Sequence, residues 1–249
     1  MARVLSRPFI EKIKAGLEKL GPSVEDQAAS YWAVDRWELK TIPELKREML
    51  LRVLALAKKM NLTGQDVILE VGCSDGSLCA ELRQAGYNTI GLDIVLGEMG
   101  AEGKFIKGSI ERLPLKSGSV KLVVDSFTLC YTDMERSADE ILRVLLPGGM
   151  AFFMLHHPDR CDKALIRVLE ENKIPASDFE AIWESEEDSA AFNCPTLRLL
   201  VNAFENNGAI AEFFTRKGFQ MHYNDTEWLR EGKNWSGLAY YAIVRKAQM

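Results

Sequence analysis

The sequence has no long apolar run, no dense cluster of Lys and Arg, and no cysteine pair of the C-x-x-C type. No apolar segment approaches the ~20 residues of a membrane-spanning helix, and residues 1–10 lack the apolar core of a signal peptide. We therefore expect a cytoplasmic protein without a membrane partner.

The charge balance argues against nucleic acid as a partner. The chain carries 31 Lys and Arg against 36 Asp and Glu, which gives a net charge of -5 and a pI of about 5.4. A surface of this sign repels a phosphate backbone rather than attracting it. We expect no nucleic-acid substrate.

The cysteines do not form a recognisable framework. Their number, five, is odd, and none lies in a Cys/His cluster. Neither a zinc site nor a set of disulfides is indicated, and we expect no metal. They are interpreted as packing residues: Cys73, Cys79, Cys130, Cys161 and Cys194.

The length and composition fit one domain. With 249 residues, 47% hydrophobic and 27% charged, the chain can bury one core and still carry accessory helices. We expect an N-terminal helical cap at 1–60, a ligand-binding core at 61–158, a helical insertion at 159–207, and a closing helix and hairpin at 208–249.

Short apolar runs alternate with amphipathic helical patterns through the middle of the chain. Helices are predicted from the capping pair Thr41 and Glu44 to Asn61, from 77 to 85, from the capping pair Thr132 and Glu135 to 145, and from 210 to 217. Strands are predicted at 67–71, 89–94, 104–107, 120–125, 150–155, 219–223 and 238–244. This alternation indicates an α/β fold with a mostly parallel sheet, which binds ligands at the carboxyl ends of its strands.

A glycine-containing turn follows the first predicted strand. It reads Glu70-Val71-Gly72-Cys73-Ser74-Asp75-Gly76, and such a turn lets the backbone approach a ligand closely at a helix N-terminus. A dinucleotide-binding fingerprint would place further glycines at positions 74 and 77, which are both serine. The turn therefore speaks against a dinucleotide-dependent oxidoreductase.

This turn resembles the first motif of the class I S-adenosylmethionine-dependent methyltransferases, and more closely the small-molecule, type 11-like members. That motif runs acid-x-Gly-x-Gly-x-Gly, and here it reads Glu70, Gly72, Ser74 and Gly76. The resemblance implies that Glu70 orients the amino-acid end of the cofactor through the loop. It also implies that Gly72, Cys73 and Ser74 line the methionine portion, and that the fold is Rossmann-like with an antiparallel last strand.

Two later segments extend the resemblance along the cofactor. Asp93 ends the second predicted strand, where an acid can accept hydrogen bonds from both ribose hydroxyls, with Ile94 beside it. Residues 108–115 resemble the family segment that lies against the adenine. In that segment Ser109 replaces a common aspartate, and Ile110 would supply either apolar contact with the ring or simple packing.

The exit of the fourth predicted strand resembles the stretch beneath the transferred methyl group. Asp125, Ser126 and Phe127 occupy it, although Lys121 stands where the family often has aspartate. Residues 146–149 (Leu-Pro-Gly-Gly) are similar to the turn that precedes the fifth strand in the family, and are also an ordinary helix stop.

All three histidines lie late in the chain. His156 and His157 follow the fifth predicted strand, on the ligand side of the sheet, where one ring could deprotonate an acceptor near neutral pH. The alternative is that His157 caps a turn before Pro158. For His222, a packing role in the sixth strand is favoured.

The sequence thus predicts a methyltransferase that uses S-adenosylmethionine, releases S-adenosylhomocysteine, and acts on a small-molecule O, N or C acceptor as a monomer or homodimer. The substitutions at Ser109 and Lys121 leave an alternative open, in which the chain binds the cofactor as a silent scaffold or regulator.

Overall fold

A computed structural model describes residues 43–94, 104–156, 207–225 and 239–247. Within them the chain forms one seven-stranded sheet in the order β3-β2-β1-β4-β5-β7-β6. The strands are β1 (Val67–Val71), β2 (Asn88–Asp93), β3 (Lys104–Lys107), β4 (Val120–Ser126), β5 (Leu145–His156), β6 (Phe219–Asp225) and β7 (Ala239–Lys246).

Strands β1 to β5 pair in parallel, whereas β7 is antiparallel to both β5 and β6. The helices are α1 (Pro43–Lys59), α2 (Ser77–Gln84), α3 (Met134–Val144) and α4 (Asn207–Arg216), with 3-10 turns at Ile110–Arg112 and Leu129–Tyr131. The predicted α/β fold with an antiparallel last strand is confirmed. The predicted N-terminal cap lies outside the described residues up to position 42, and so does nearly all of the predicted insertion.

Both faces of the sheet are buried, as the continuous apolar character of its central strands predicts. On one face, Phe153 packs with Ile141 of α3 and Phe214 of α4, and the rings of Phe153 and Phe214 lie 4.6 Å apart. On the other face, the neighbouring Phe152 packs with Val53 of α1 and Leu82 of α2. Side chains alternate along a strand, so these two adjacent phenylalanines anchor opposite layers.

The N-terminus of α3 differs from the prediction. The capping residue is Asp133, whose carboxylate accepts the amide of Arg136 at 3.2 Å, and not Thr132. The Thr132 hydroxyl instead donates to the carbonyl of Leu129 at 2.8 Å, so it closes the preceding 3-10 turn. The predicted pairing of Thr132 with Glu135 is therefore wrong. The other predicted cap, Thr41, lies outside the described residues.

Strand β5 begins earlier than predicted, at Leu145 rather than Met150. Val120 pairs with Leu145 and Leu122 pairs with Met150, so β5 has four residues between these two pairs where β4 has one, Lys121. These four residues are the Leu-Pro-Gly-Gly segment, in which Gly148 has a φ of 72°. The segment stops α3 at Val144, one residue before the predicted end, and then forms an irregular start to the strand rather than a separate turn.

Helix α4 packs on β6 and closes at Gly218, as predicted. No helix in the described ranges is long and apolar enough to cross a membrane.

Candidate functional site

The carboxyl ends of β1, β2 and β4 meet at one edge of the sheet. Val71, the last residue of β1, is level with Leu92 of β2 on one side and with Asp125 of β4 on the other. The glycine turn at 72–76 therefore leaves the sheet between Asp93 and the loop that follows β4. The predicted site residues of these three strands are brought together.

The backbone of the 72–76 loop is tied to β2. The amides of Gly72 and Cys73 both donate to the carbonyl of Leu92, at 2.7 and 3.1 Å. The amide of Ser74 donates to Oδ2 of Asp93 at 2.9 Å. Asp93 is 4% exposed, so this bond lies in a largely water-excluded place and ties the loop to the end of β2.

Three alternate residues of this loop have left-handed backbones: Gly72 at φ 66°, Ser74 at 61° and Gly76 at 70°. The serine thus keeps the conformation for which the family motif has glycine, at a cost of about 1 kcal/mol for a side-chain-bearing residue. The bond from its own amide to Asp93 offsets that cost.

Gly72 lies directly against Thr128 of the loop after β4. A Cβ atom at residue 72 would lie 1.8 Å from Thr128 Oγ1, which no side chain can tolerate. The Thr128 hydroxyl donates to the carbonyl of Val71 at 3.3 Å. Thr128 therefore joins the β1 and β4 loops. The sequence does not predict this role, because no local pattern connects Thr128 with Gly72.

Glu70 lies beneath the loop rather than in it. It is 4% exposed, and its Oε2 accepts the thiol of Cys79 in α2 at 2.8 Å. Burial, with further contributions from Asp75 and Asp93, raises the pKa of Glu70 to about 8. Burial likewise raises the pKa of the Cys79 thiol, so the pair is a neutral hydrogen-bonded contact at neutral pH.

Asp125 is fully buried at the end of β4. Its Oδ1 accepts the amide of Leu129 at 3.1 Å, and its Oδ2 has no hydrogen-bond partner among the described residues. Burial raises the pKa of this carboxyl well above its ordinary value. The structure gives Asp125 a contact with the loop after β4, and its contact with a cofactor stays a prediction.

The next two residues start that loop. Ser126 is half-buried, and Phe127 is buried with a φ of 67°, its amide donating to the carbonyl of Met154 in β5 at 2.9 Å. This bond turns the chain away from the sheet at the point where β4 ends.

The segment after β3 lies beside the end of β2. The amide of Gly108 donates to the carbonyl of Asp93 at 2.9 Å. Ser109 Oγ accepts the amide of Glu111 at 3.1 Å and so caps the 3-10 turn, and Ile110 is 3% exposed. Ile94, which directly follows Asp93, is half-buried.

The histidines are placed less fully. His156 is the last residue of β5, level with Ala239 of β7, at the same edge of the sheet as the 72–76 loop. Its side chain and the whole of His157 lie outside the described residues. His222 is exposed on β6, the strand at the far edge of the sheet. Among the described residues, no three His, Cys, Asp or Glu side chains are placed to hold a metal ion.

The chain is similar to known methyltransferases. Residues 69–153 match the family described as "Methyltransferase domain". This match confirms the predicted resemblance and enzyme class. No curated protein matches the sequence.

Solved structures share the fold at low identity. A candidate methyltransferase in complex with the Trm112 methyltransferase activator of Haloferax volcanii superposes with a TM-score of 0.56 at 16% identity, over 88% of this chain and 97% of that one. The [4+2]-cyclase SpnF gives 0.52 at 14%, over 82% and 81%. A SAM-dependent methyltransferase from Methanosarcina mazei gives 0.50 at 17%, over 76% and 95%.

The raised pKa of Glu70 predicts a pH-dependent stability. Between its unfolded value of 4.5 and its folded value of about 8, the folded state binds the extra proton, so the free energy of unfolding falls as pH rises. Glu70→Gln removes this contribution. We expect the variant's stability relative to the parent to rise by roughly 1 kcal/mol per pH unit across that window, and to level off above it.

Urea unfolding of the ligand-free protein from pH 5 to pH 9 measures this difference. Asp125 supplies a similar slope to both proteins and so cancels in the comparison. A stability difference that stays constant with pH would show that Glu70 is ionised throughout.

Proposed function

We propose that the chain transfers a methyl group from S-adenosylmethionine to a small-molecule oxygen, nitrogen or carbon acceptor. The observation that carries this proposal is the 72–76 loop, fixed to Asp93 on one side and to Thr128 on the other, inside the matched domain. This arrangement joins a close-approach backbone to a buried acid at the carboxyl edge of a parallel sheet, where such sheets bind ligands.

The residues at this edge fit the chemistry of the cofactor. Asp93 is an acceptor-only group when ionised, which suits the two hydroxyls of a ribose. Gly72, Cys73 and Ser74 would line the methionine portion, since the left-handed backbone exposes their peptide groups without bulky side chains.

The other end of the cofactor has its own candidates. Ile110 offers apolar surface for the adenine and Ser109 a hydroxyl, with Ile94 beside the ribose. Glu70 and Asp125 would act beneath the loops, through the peptide groups that they hold.

S-adenosylmethionine supplies an electrophilic methyl group on a positively charged sulfur, so the reaction needs no metal. The chain's contribution is to hold donor and acceptor in line and to exclude water. The loop after β4, which runs from Phe127 to Tyr131, and the end of β5 would face the acceptor. There, His156 or His157 would take the proton that an O or N acceptor loses as it attacks.

The overall charge of -5 supports a small-molecule acceptor over nucleic acid. The segments at 1–42 and 159–206 would cover the acceptor, in a single-domain cytoplasmic protein that acts as a monomer or homodimer. These features are predictions from the sequence.

A silent cofactor-binding module is the second candidate. The Ser109 hydroxyl already caps a 3-10 turn, which reduces what it can offer to an adenine. The fold itself does not decide between the two, because one structure that shares it is described as a [4+2]-cyclase. Release of S-adenosylhomocysteine with any of a panel of small-molecule acceptors would distinguish the enzyme from the module.

Cofactor binding is the first test. We expect S-adenosylmethionine and S-adenosylhomocysteine to bind with a dissociation constant of order micromolar in titration calorimetry. Asp93→Ala removes a charged acceptor and releases the Ser74 amide, so it should weaken binding by about 1.5 to 3 kcal/mol.

Asp66→Ala is the matched control, because this aspartate lies just before β1, at the opposite end of the strand from the loop, and accepts bonds from Thr63. It should bind as the parent does. If neither compound produces binding heat or a shift in melting temperature at millimolar concentration, the proposed function is wrong.

Gly72→Ala should abolish binding of S-adenosylhomocysteine. The added methyl group meets Thr128 Oγ1, so the loop must move away from β4. Gly86→Ala is the control: it also has a left-handed backbone, with φ 91°, but a Cβ there meets nothing within 4 Å. We expect Gly86→Ala to lose stability only. Equal binding by both variants would show that the loop tolerates displacement.

The histidines are tested by turnover once an acceptor is found. Alanine at the working residue, His156 or His157, should lower turnover roughly 10²- to 10⁴-fold with cofactor affinity nearly unchanged, because the lost group moves a proton and does not bind the donor. His222→Ala serves as a control. If both single variants and the double variant keep full turnover, proximity alone accounts for catalysis.

A further inference from the structure

We propose that Glu140 and Arg143 of α3 are positioning residues for the cofactor's adenine end, although neither is placed to touch the cofactor. They hold the segment 109–117, whose first residues are the candidates for adenine contact. This inference rests on the proposed function, since it assigns the segment's ligand from it.

Arg143 binds the segment at three points. Its guanidinium donates to the carbonyl of Leu113 at 2.9 Å, to the carbonyl of Leu115 at 2.8 Å, and to the hydroxyl of Ser117 at 3.3 Å. These acceptors lie 26 to 30 residues before Arg143 in the chain. One side chain therefore organises a whole loop that contains no strand.

Glu140 completes the arrangement. It pairs with Arg143 through both oxygens, at 2.7 and 2.8 Å, and its Oε2 also accepts the amide of Leu113 at 2.7 Å. The hydrogen bonds from Arg143 lower the pKa of Glu140, so the pair is ionised at neutral pH. Both side chains are partly buried, and a planar two-point pair of this kind fixes direction as well as distance.

The upstream end of the segment is held by the same helix. Glu111 Oε1 accepts the amide of Asp133, the capping residue of α3, at 2.9 Å. Ile110 and Leu113 are buried in the same apolar cluster as Ile141. Helix α3 thus holds the segment at both of its ends and along its apolar side.

The sheet supplies little of this restraint. Within the described part of the chain, the segment follows β3, a four-residue edge strand that pairs with β2. Downstream, the amides of Gly118 and Ser119 donate to the carbonyls of Arg143 and Val144. Without the Glu140–Arg143 pair, a bound adenine would have to order the downstream part of the segment, residues 113–117, and that cost would weaken binding.

The test compares Arg143→Lys and Glu140→Gln with the parent protein. Lysine keeps the charge of Arg143 but cannot reach three acceptors with a planar group, and glutamine keeps the shape of Glu140 without its charge. We expect the dissociation constants of S-adenosylhomocysteine and of adenosine to rise by about the same factor, about tenfold, in titration calorimetry. With an acceptor, KM for S-adenosylmethionine should rise and kcat stay unchanged.

Two further measurements separate positioning from general destabilisation. Amide hydrogen exchange should accelerate in 109–119 and not in β1 or β4. The double variant should bind no more weakly than the worse single variant, because the two residues act as one unit. Arg136→Lys is the control, since Arg136 lies on the same helix, is 74% exposed and forms an ion pair with the cap Asp133.

Two failures remain distinguishable. A parent protein that binds neither ligand overturns the proposed function and this inference with it. A parent that binds, together with folded Arg143→Lys and Glu140→Gln variants of unchanged affinity, overturns the inference alone. An equal loss of affinity in Arg136→Lys would also overturn it.

Discussion

Thr128 packs directly against Gly72, and the contact is possible because residue 72 has no side chain. The contact joins the loop after β1 to the loop after β4. The Thr128 hydroxyl also donates a hydrogen bond to the carbonyl of Val71, the last residue of β1. Asp125 fixes the amide of Leu129 just beyond it. The geometry of the carboxyl edge at β1 and β4 therefore rests on a close contact that leaves no room for a side chain at residue 72.

Much of the fold could be predicted because it depends on local pattern. Strands β1 and β3 have the predicted bounds, since short apolar runs between breaking residues leave little freedom. The Asp93 position follows from its fixed distance to the glycine turn. These features are encoded by neighbours in sequence.

The features that escaped prediction depend on contacts across the fold. Asp133, rather than Thr132, caps α3, because the Thr132 hydroxyl donates to the carbonyl of Leu129. Arg143 donates to carbonyls that lie nearly thirty residues away in the chain. A threonine or an arginine in a helical pattern gives no sign of such partners. Tertiary contacts, rather than propensity, decide these positions.

The strand order places the early and the late part of the domain on opposite sides of β1. The chain runs outward from β1 to β2 and β3, and then returns beside β1 as β4 before continuing outward as β5. The connecting helices change face at the same point: α2 packs on one face of the sheet and α3 on the other. Sheets of this kind bind ligands at the point where the direction reverses. Residues before 113 lie on one side of this point, and residues after 125 lie on the other. Descendants of this chain could therefore change their acceptor through substitutions after residue 125, while the residues before 113 stay the same.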